Sequence, residues 1–332
     1  QFLGGGKILF VLFGIPSSMG MLITAMVIIP YAVYGGFKSV VYTDVIQSLV
    51  MLSTLVVAPI VGIIMLSNMS DVYSTGVFNA LIKSGPSYYS VISGVEGIMF
   101  GMVILSGLSW MFGYLGGQPQ LSVRFMAIRD VKQAKLGRNI GILWTILAYS
   151  GALMLGWIGI AIFGPDTILD REQVMPLVVL KLFHPIIAAF LIAGAIAATI
   201  STADSLLVLS SVEFSKNILN PILKHFSFKA DNDLLISRIV TVFLAIIALF
   251  LGYTFPSNLI YTIVSFVWAG IGGTFSVVIM LSLFWSRFHG KAALFTIIIG
   301  LSFTIFWILS GLEERVTTRI LTFVVTGVSA VL

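Results

Sequence analysis

A cluster of small and hydroxyl-bearing residues lies within the long apolar segment 185–212. If this segment is a helix, Ala198 lies one turn before Ser201 and Thr202, and Ser205 follows Ser201 by one further turn. The Ala198 carbonyl and the two hydroxyls can then direct their oxygens to one point. Neutral oxygens suit a hard cation that must be released again, so we predict half of a cation site here, completed by a facing helix. The alternative is that the hydroxyls bond back to the preceding turn and assist helix packing.

Two carboxylates in apolar segments could assist such an ion. A charged side chain near the centre of a membrane helix costs about 2.5–3.5 kcal/mol on insertion scales, so its presence needs a reason. Asp204 lies about 20 residues, or some 30 Å, into its helix, where we expect water to reach it. Asp44 lies six residues after Lys38. Either Thr43 or Asp44 caps a helix or favours its N-terminal dipole, or Asp44 provides an acidic group on a cytoplasmic exit route. Asp44, Asp204 and Ser205 are our candidates for ion exit or coupling.

A third pattern predicts a broken helix. The sequence Gly-Gly-Gln-Pro at residues 116–119 follows an apolar segment, and it disrupts a helix at or near its end. Broken helices expose backbone groups, which membrane proteins tolerate only beside a cavity or other protein groups. Trp110 and Tyr114 share one face of the preceding helix and could line a solute pocket; an interfacial aromatic belt or plain packing is the alternative. Glu96, near the start of that helix, is expected at the membrane interface.

The composition assigns the chain to a broad class. Of its 332 residues, 58% are hydrophobic and 9% are charged, and the mean hydropathy is +1.09. Soluble domains carry about 25% charged residues, so the composition predicts an all-α polytopic membrane protein surrounded by lipid. The net charge of +5 comes from basic residues in short loops, which act as orientation signals and do not indicate a nucleic-acid partner. The absence of cysteine excludes disulfides and thiolate metal sites.

The apolar segments also predict how the chain is organised. We predict eight full spans and one partial span, at about residues 16–35, 40–66, 89–117, 138–163, 185–212, 233–254, 258–285, 290–312 and from 319. One set of alternate loops carries 12 basic residues and the other 5, so the first set is cytoplasmic by the positive-inside rule. Residues 67–88, expected to be irregular, and 164–184, with a short helix, are then long outer loops. We interpret residues 1–332 as a single transmembrane transporter domain, a fragment in which residues 1–15 are the remnant of a preceding helix and outer loop.

Signatures of catalysis are missing from the sequence. It contains no His-Glu-x-x-His zinc motif, no Gly-x-Ser-x-Gly turn and no phosphate-binding P-loop. His184, His225 and His289 fall in loops or at helix ends and do not cluster, so we predict neither an enzyme nor a transition-metal site. The remaining enzymatic hypothesis is an intramembrane hydrolase built on Asp44 and Asp204, which requires the two carboxylates to meet in space.

Three stretches together resemble the sodium/solute symporter family, most closely its sodium/proline branch. They are residues 35–47, which begin Gly-Gly-Phe-Lys; residues 113–127, which contain the Gly-Gly-Gln-Pro break; and residues 197–207, which contain the Ser-Thr pair. Trp-Ala-Gly at residues 268–270 is a weaker fourth, in a small-residue stretch where we expect close packing. The stretches follow one another in the order and spacing of that family over about residues 16–312.

The resemblance implies the leucine-transporter-type fold, in which two inverted repeats hold a solute at mid-membrane. It also implies that Ala198, Ser201 and Thr202 form the second-repeat half of a sodium (Na+) site, and that Asp44 lies on the path of sodium to the cytoplasm. The fold is expected to be incomplete here, because the opening helices that supply the other sodium ligands are missing from the sequence.

For the solute, the resemblance implies a substrate region at Trp110, Tyr114 and Pro119. The double glycine before the Gln-Pro pair departs from the single glycine usual in the proline branch, so the solute is proline, a related amino acid or another carboxylate. We therefore predict a sodium-coupled secondary symporter of the plasma membrane. Two other functions stay open: a proton-coupled carrier, in which Asp44 or Asp204 would titrate, and a membrane sensor domain attached to a signalling module.

Overall fold

A computed structural model of the chain describes residues 1–90, 94–95, 97–225, 233–254, 259–314 and 316–331. Within these ranges the protein consists of helices and connecting turns, without a β-strand, which confirms the all-α prediction. The helices are α1 (Phe2–Phe13), α2 (Ser17–Leu66), α3 (Val77–Ser84), α4 (Pro86–Tyr89), α5 (Ile98–Leu108), α6 (Trp110–Tyr114), α7 (Pro119–Met126), α8 (Val131–Phe163), α9 (Val174–Leu182), α10 (Pro185–Phe214), α11 (Asn220–His225), α12 (Asp233–Thr254), α13 (Ile260–Val267), α14 (Thr274–Phe284), α15 (Gly290–Leu309) and α16 (Thr318–Val331).

Six of the described helices are long and apolar enough to cross a membrane, judged by length and composition. They are α2, α8, α10 with its continuation to Leu223, α12, the run Ile260–Phe284 and α15. A seventh candidate is the bent pair Met99–Tyr114 and Pro119–Met126, whose two helices differ in direction by 42°. A helix satisfies its own backbone hydrogen bonds, which is why an apolar chain in lipid takes this form.

Several predicted spans agree with the observed helix bounds. The segments 138–163, 185–212, 233–254 and 290–312 correspond to α8, α10, α12 and α15. The partial span predicted from residue 319 corresponds to α16. The number of spans stays a prediction, because the first two predicted spans both fall within α2.

Two local predictions need correction. The third predicted span begins as a helix only at Ile98, because Gly94 and Gly97 before it have positive φ angles of 71° and 64°. The loop 67–88 is not irregular throughout, since it contains α3 and most of α4. Glu96 lies outside the described residues, so its expected interfacial position stays a prediction.

α2 is a 50-residue helix with one break. A straight helix of that length would extend about 75 Å, more than twice the ~30 Å thickness of the hydrocarbon layer. At Gly36 the backbone leaves the helix, with φ 63° and ψ 175°, a combination that is essentially restricted to glycine. The break divides α2 into residues 17–35 and 37–66, and the second part carries Asp44.

The chain forms two compact units. The first unit comprises Gln1–Ser84 and Gly137–Asn258, and the second comprises Gly85–Leu136 and Leu259–Leu332. The candidate cation ligands on α10 belong to the first unit. The aromatic candidates of the broken helix belong to the second.

Two apolar cores hold the first unit together. One is formed by α1, α2, α3, α8, α9 and α10 and contains the fully buried Ala58, Ile158 and Ile192. The other joins α1 and α2 to α10 and α12, with Ile28 and Ala245 fully buried. α10 takes part in both cores, so its position is fixed along most of its length.

α2 and α10 approach closely enough for a side chain of one to bond to the backbone of the other. Thr54 Oγ1 of α2 donates to the Leu191 carbonyl of α10 at 2.7 Å. Gly194 permits this approach, because a Cβ there would lie 2.4 Å from Thr54 Oγ1. The contact holds α10 against the second part of α2, on which Asp44 also lies.

A buried lysine ties α1 to the segment that precedes α9. Lys7 Nζ lies 2.9 Å from Asp170 Oδ2 and 2.5 Å from Glu172 Oε2, and its side chain is 6% exposed. The two carboxylates offset the desolvation of this ammonium group. The short helix predicted within 164–184 is α9, and its buried side chains belong to the first of the two cores.

In the second unit, small and hydroxyl-bearing residues pack the helices. α13 and α14 are joined by a π-helical turn at Trp268–Gly273. The hydroxyl oxygens of Thr304 on α15 and Thr322 on α16 are 2.8 Å apart. A Cβ at Gly300 would lie 2.4 Å from Thr274 Oγ1, so this glycine lets α15 approach α14. Such contacts are typical of helices that associate in membranes.

We predict that Gly36→Ala lowers the stability of the protein by about 1–3 kcal/mol, because alanine must adopt a backbone conformation that is strained for any residue with a Cβ. Thermal unfolding of the detergent-solubilised protein measures the effect. The matched control is Gly35→Ala, since Gly35 is helical and a Cβ there meets only Ser39, at 3.4 Å or more. Equal unfolding temperatures for the two variants would contradict the prediction.

Candidate ion and solute sites

The predicted cation ligands lie together on α10. Ser201 Oγ donates to the Ala198 carbonyl at 3.2 Å, and Thr202 Oγ1 donates to the same oxygen at 3.1 Å. Three neutral oxygens therefore converge at one turn of the helix. All three residues are half-buried, so the cluster is neither sealed within the core nor fully exposed.

The helix itself produces this convergence. Positions i, i+3 and i+4 share one face, and helical side chains lean toward the preceding turn. Bonds from Ser and Thr to the preceding turn are common, so the geometry fits both a cation site and ordinary packing. A hydroxyl oxygen that donates its proton still has lone pairs with which it can bind a cation. A set of carbonyl and hydroxyl oxygens is also the donor type that hard cations prefer.

Asp44 and Ser205 meet between α2 and α10. Ser205 Oγ donates to Asp44 Oδ2 at 3.4 Å, across 161 positions of sequence. The prediction that Asp44 or Thr43 caps a helix is wrong, because α2 resumes after the break at Gly36 and both residues lie inside it. Thr43 Oγ1 instead donates to two carbonyls of the preceding turn, each at 3.0 Å.

Asp204 is fully buried, with 0% of its surface exposed. We expected water to reach this carboxylate, and that expectation is wrong. Its neighbours on α10, Ala203 and Leu207, belong to the core that joins α10 to α2 and α12, so the packing of these helices encloses the side chain. The role of Asp204 in coupling stays a prediction.

The broken helix of the second unit has the form that the sequence predicted. α6 ends at Tyr114 and α7 begins at Pro119. Between them, Gly116 has a positive φ of 98°, and its carbonyl accepts a hydrogen bond from Ser122 Oγ at 2.9 Å. Proline suits the first position of α7, because a helix has no internal acceptor for the N–H that proline lacks.

Trp268 brings two of the predicted solute residues together. The Trp110 ring lies 5.6 Å from the Trp268 ring and the Tyr114 ring lies 4.8 Å from it, centroid to centroid. Trp268 Nε1 also donates to the Trp110 carbonyl at 2.8 Å. Pro119, the third predicted residue, is exposed at the start of α7, beyond the break.

Glycines allow the broken helix to touch the π-helical turn. A Cβ on Gly117 would lie 2.1 Å from the Gly272 carbonyl oxygen, and a Cβ on Gly272 would lie 2.9 Å from Gly113 Cα. Next to this contact, Ser276 Oγ donates to the Phe112 carbonyl. The small residues near Trp268 therefore serve the close packing that we expected of them.

Gln118 is a candidate that the sequence analysis treated only as part of the helix-breaking motif. It is 5% exposed, and its Nε2 has no hydrogen-bond partner among the described residues. Its Oε1 accepts from Gln120 Nε2 at 3.3 Å. A buried amide donor without an acceptor is costly, which makes Gln118 a candidate contact for a bound solute. Its place within the break was the signal available in the sequence.

A model of the sodium:solute symporter family matches residues 1–300 of the chain. The chain belongs to the sodium:solute symporter family. This confirms the resemblance carried by the three sequence stretches, and together with the apolar helices it identifies a multi-pass membrane protein.

Three similar symporters and transporters come from bacteria. Two are proteins of Bacillus subtilis, an osmoregulated proline transporter and a high-affinity proline transporter, 32% and 33% identical over 314 residues each. The third is a sodium/proline symporter 2 of Staphylococcus saprophyticus, 31% identical over 311 residues. These alignments cover 93%, 93% and 92% of this chain but 61%, 63% and 58% of the relatives. The chain therefore spans about three fifths of the length of these relatives.

We predict that Gly117→Ala destabilises the protein by about 1–3 kcal/mol, because the added methyl group meets the Gly272 carbonyl and overpacks the contact. Thermal unfolding in detergent measures the change. Gly107→Ala, one helix earlier, is the matched control, since nothing lies within 4 Å of a Cβ there. A Gly117→Ala protein as stable as the Gly107→Ala protein would show that the two backbones do not approach in this way.

Proposed function

We propose that this chain forms part of a sodium-coupled symporter that imports proline or a related amino acid across the plasma membrane by alternating access. The single observation that carries the proposal is the convergence of the Ala198, Ser201 and Thr202 oxygens on α10 in a chain of the sodium:solute symporter family. The relatives' names as proline transporters and sodium/proline symporters support the choice of solute.

In this proposal, sodium binds the Ala198 carbonyl and the hydroxyls of Ser201 and Thr202, together with oxygens from a further helix. A site made of neutral oxygens holds a monovalent cation weakly enough for release. Asp44 and Ser205 lie further along the α2 and α10 pair and form the exit route. The carboxyl group of Asp44, which accepts from Ser205 at 3.4 Å, gives that route an acidic side chain.

The solute in this proposal is held by the broken helix. Trp110 and Tyr114 provide apolar ring surface beside Trp268, and Pro119 and Gln118 lie at the break itself. An apolar wall with a few polar groups is the usual composition of a site for a small organic solute. Broken helices near the middle of the membrane are the elements that secondary transporters use for this purpose.

We propose the leucine-transporter-type fold with inverted repeats, in which α2 provides two spans separated at Gly36 and the protein has eight full spans and a partial one.

The coupling of the two ligands is a linkage of binding free energies. Sodium therefore raises the affinity for the solute, and the solute raises the affinity for sodium by the same factor.

We predict that Thr202→Ala in the full-length protein removes most of the sodium dependence of proline uptake. The loss of one oxygen ligand should raise the sodium concentration for half-maximal uptake by about tenfold, corresponding to roughly 1.4 kcal/mol. Radiolabelled proline uptake into vesicles at varied sodium measures this.

The Thr202→Ser variant and a threonine outside the site provide controls. Thr202→Ser keeps the hydroxyl and should keep sodium activation near the wild-type value. Thr241→Ala removes a buried threonine of α12 that bonds back to its own helix in the same way, at 2.8 Å, and it should not change sodium activation. Unaltered sodium activation in Thr202→Ala would exclude this residue as a ligand.

A second candidate function is a proton-coupled carrier, favoured by the complete burial of the Asp204 carboxylate in α10. The two functions differ in the driving ion. We predict that an imposed sodium gradient drives uptake at constant pH, and that a pH gradient at constant sodium does not. Uptake that follows a pH gradient at constant sodium, and that loses this response in Asp204→Asn, would establish the proton-coupled carrier instead.

A further inference from the structure

The second unit contains a buried cation that none of its described side chains neutralises. Arg319 lies in the first turn of α16 and is 4% exposed. Among the described side chains, no Asp or Glu oxygen lies within 4.0 Å of its nitrogens. A buried charge without an opposite charge is costly, and in an apolar helix it usually marks a functional position.

Three serine hydroxyls hold the guanidinium group in place. Its Nε donates to Ser109 Oγ at 3.0 Å, Nη2 donates to Ser106 Oγ at 3.2 Å, and Nη1 donates to Ser265 Oγ. Hydroxyls orient the group but do not cancel its charge. Because arginine has five N–H donors, these three bonds leave two, one on each terminal nitrogen, without a partner among the described residues. Two parallel N–H donors are what a carboxylate accepts from arginine.

The nearby carboxylate of Glu313 has a different role. It accepts from the backbone N–H of Thr318 at 2.7 Å and also from the Thr318 hydroxyl, so it caps the start of α16. Arg319 follows this cap directly. The first turn of a helix favours an anion over a cation, which adds to the unfavourable position of the guanidinium group when no anion is bound.

Arg319 adjoins one of the aromatic candidates for the solute site. Its guanidinium carbon lies 4.5 Å from the centroid of the Trp110 ring. The Trp110 ring in turn lies 5.6 Å from the rings of Tyr261 and Trp268, and Tyr261 is 60% exposed. The unneutralised cation is therefore placed next to the aromatic group that is proposed to hold the solute.

We propose that Arg319 binds the carboxylate of the transported solute beside Trp110. This inference rests on the proposed function, and it assigns the group that recognises the carboxylate of proline or a related amino acid. A bound carboxylate would provide the missing negative charge and accept the two remaining N–H donors. An analogue without the carboxylate would leave the buried cation uncompensated, so the site discriminates against it.

The test is sodium-driven uptake of radiolabelled L-proline into vesicles containing the full-length protein, with prolinamide as competitor. We expect R319Q to raise the KM for proline about 10–100-fold, the range for losing a charged hydrogen-bond partner. Prolinamide, which lacks the carboxylate, should then compete about as well as proline. R319K keeps the charge but not the planar fork, so its KM should be intermediate. R287Q removes the same charge from an exposed position of the same unit and should leave the KM unchanged.

Failure of this inference can be separated from failure of the proposed function. If the wild-type protein takes up proline and R319Q changes neither the KM nor the discrimination against prolinamide at equal protein in the membrane, Arg319 is a packing residue and the inference is wrong. If the wild-type protein shows no sodium-stimulated uptake of proline or another carboxylate, the proposed function fails and the inference with it. Should R319Q not reach the membrane, R319K decides: a raised KM supports the inference, and a wild-type KM contradicts it.

Discussion

A helix that ends inside an apolar protein must find new partners for the backbone groups it leaves unpaired, because no water is available to take their place. At the break between α6 and α7, Trp268 and Ser276 donate to the carbonyls of Trp110 and Phe112. These bonds require the backbone of the broken helix and the backbone of the π-helical turn to lie almost in contact, and glycine at position 117 allows this. The aromatic residues of the candidate solute site are placed by the same contact. The geometry of the second unit therefore depends on a tolerated break in a helix.

The first unit depends on a different contact, in which two helices approach over small and hydroxyl-bearing residues. Thr54 and Gly194 fix the position of α10 along the second part of α2. Further along the same pair, this register brings Ser205 to Asp44. The oxygens near Ala198 converge because of the helical repeat alone, but their neighbourhood is set by the packing of α10. A role for them in ion binding therefore depends on both levels of structure.

The buried charges of the two units are stabilised in different ways. Lys7 forms ion pairs with two carboxylates, Asp170 and Glu172, so its charge is compensated within the first unit. Arg319 meets only hydroxyls and an aromatic ring among the described residues. The first arrangement holds a loop to a helix. The second leaves a net positive charge, and a bound anion is the natural means of compensating it.

Prediction from the sequence succeeded for features that depend on neighbouring residues. Hydropathy located α8, α10, α12 and α15 because each helix must be apolar over its own length. The glycine and proline motif located the break before α7, because the backbone preferences of these residues are local. Prediction from the sequence failed for Asp204, which we expected water to reach. The position of a residue along a helix does not reveal which other helices cover it.

The amino-acid sequence alone was enough to establish the class of protein, the positions of most helices, the cluster of oxygens on α10 and the family to which the chain belongs. The packing of the helices was needed to show that Ser205 bonds to Asp44, that Trp268 joins Trp110 to Tyr114, and that a guanidinium group from α16 reaches the same aromatic cluster. The physical reason is that a helix fixes the relation of residues three and four positions apart. Residues more than a hundred positions apart meet according to which helices pack together and in what register.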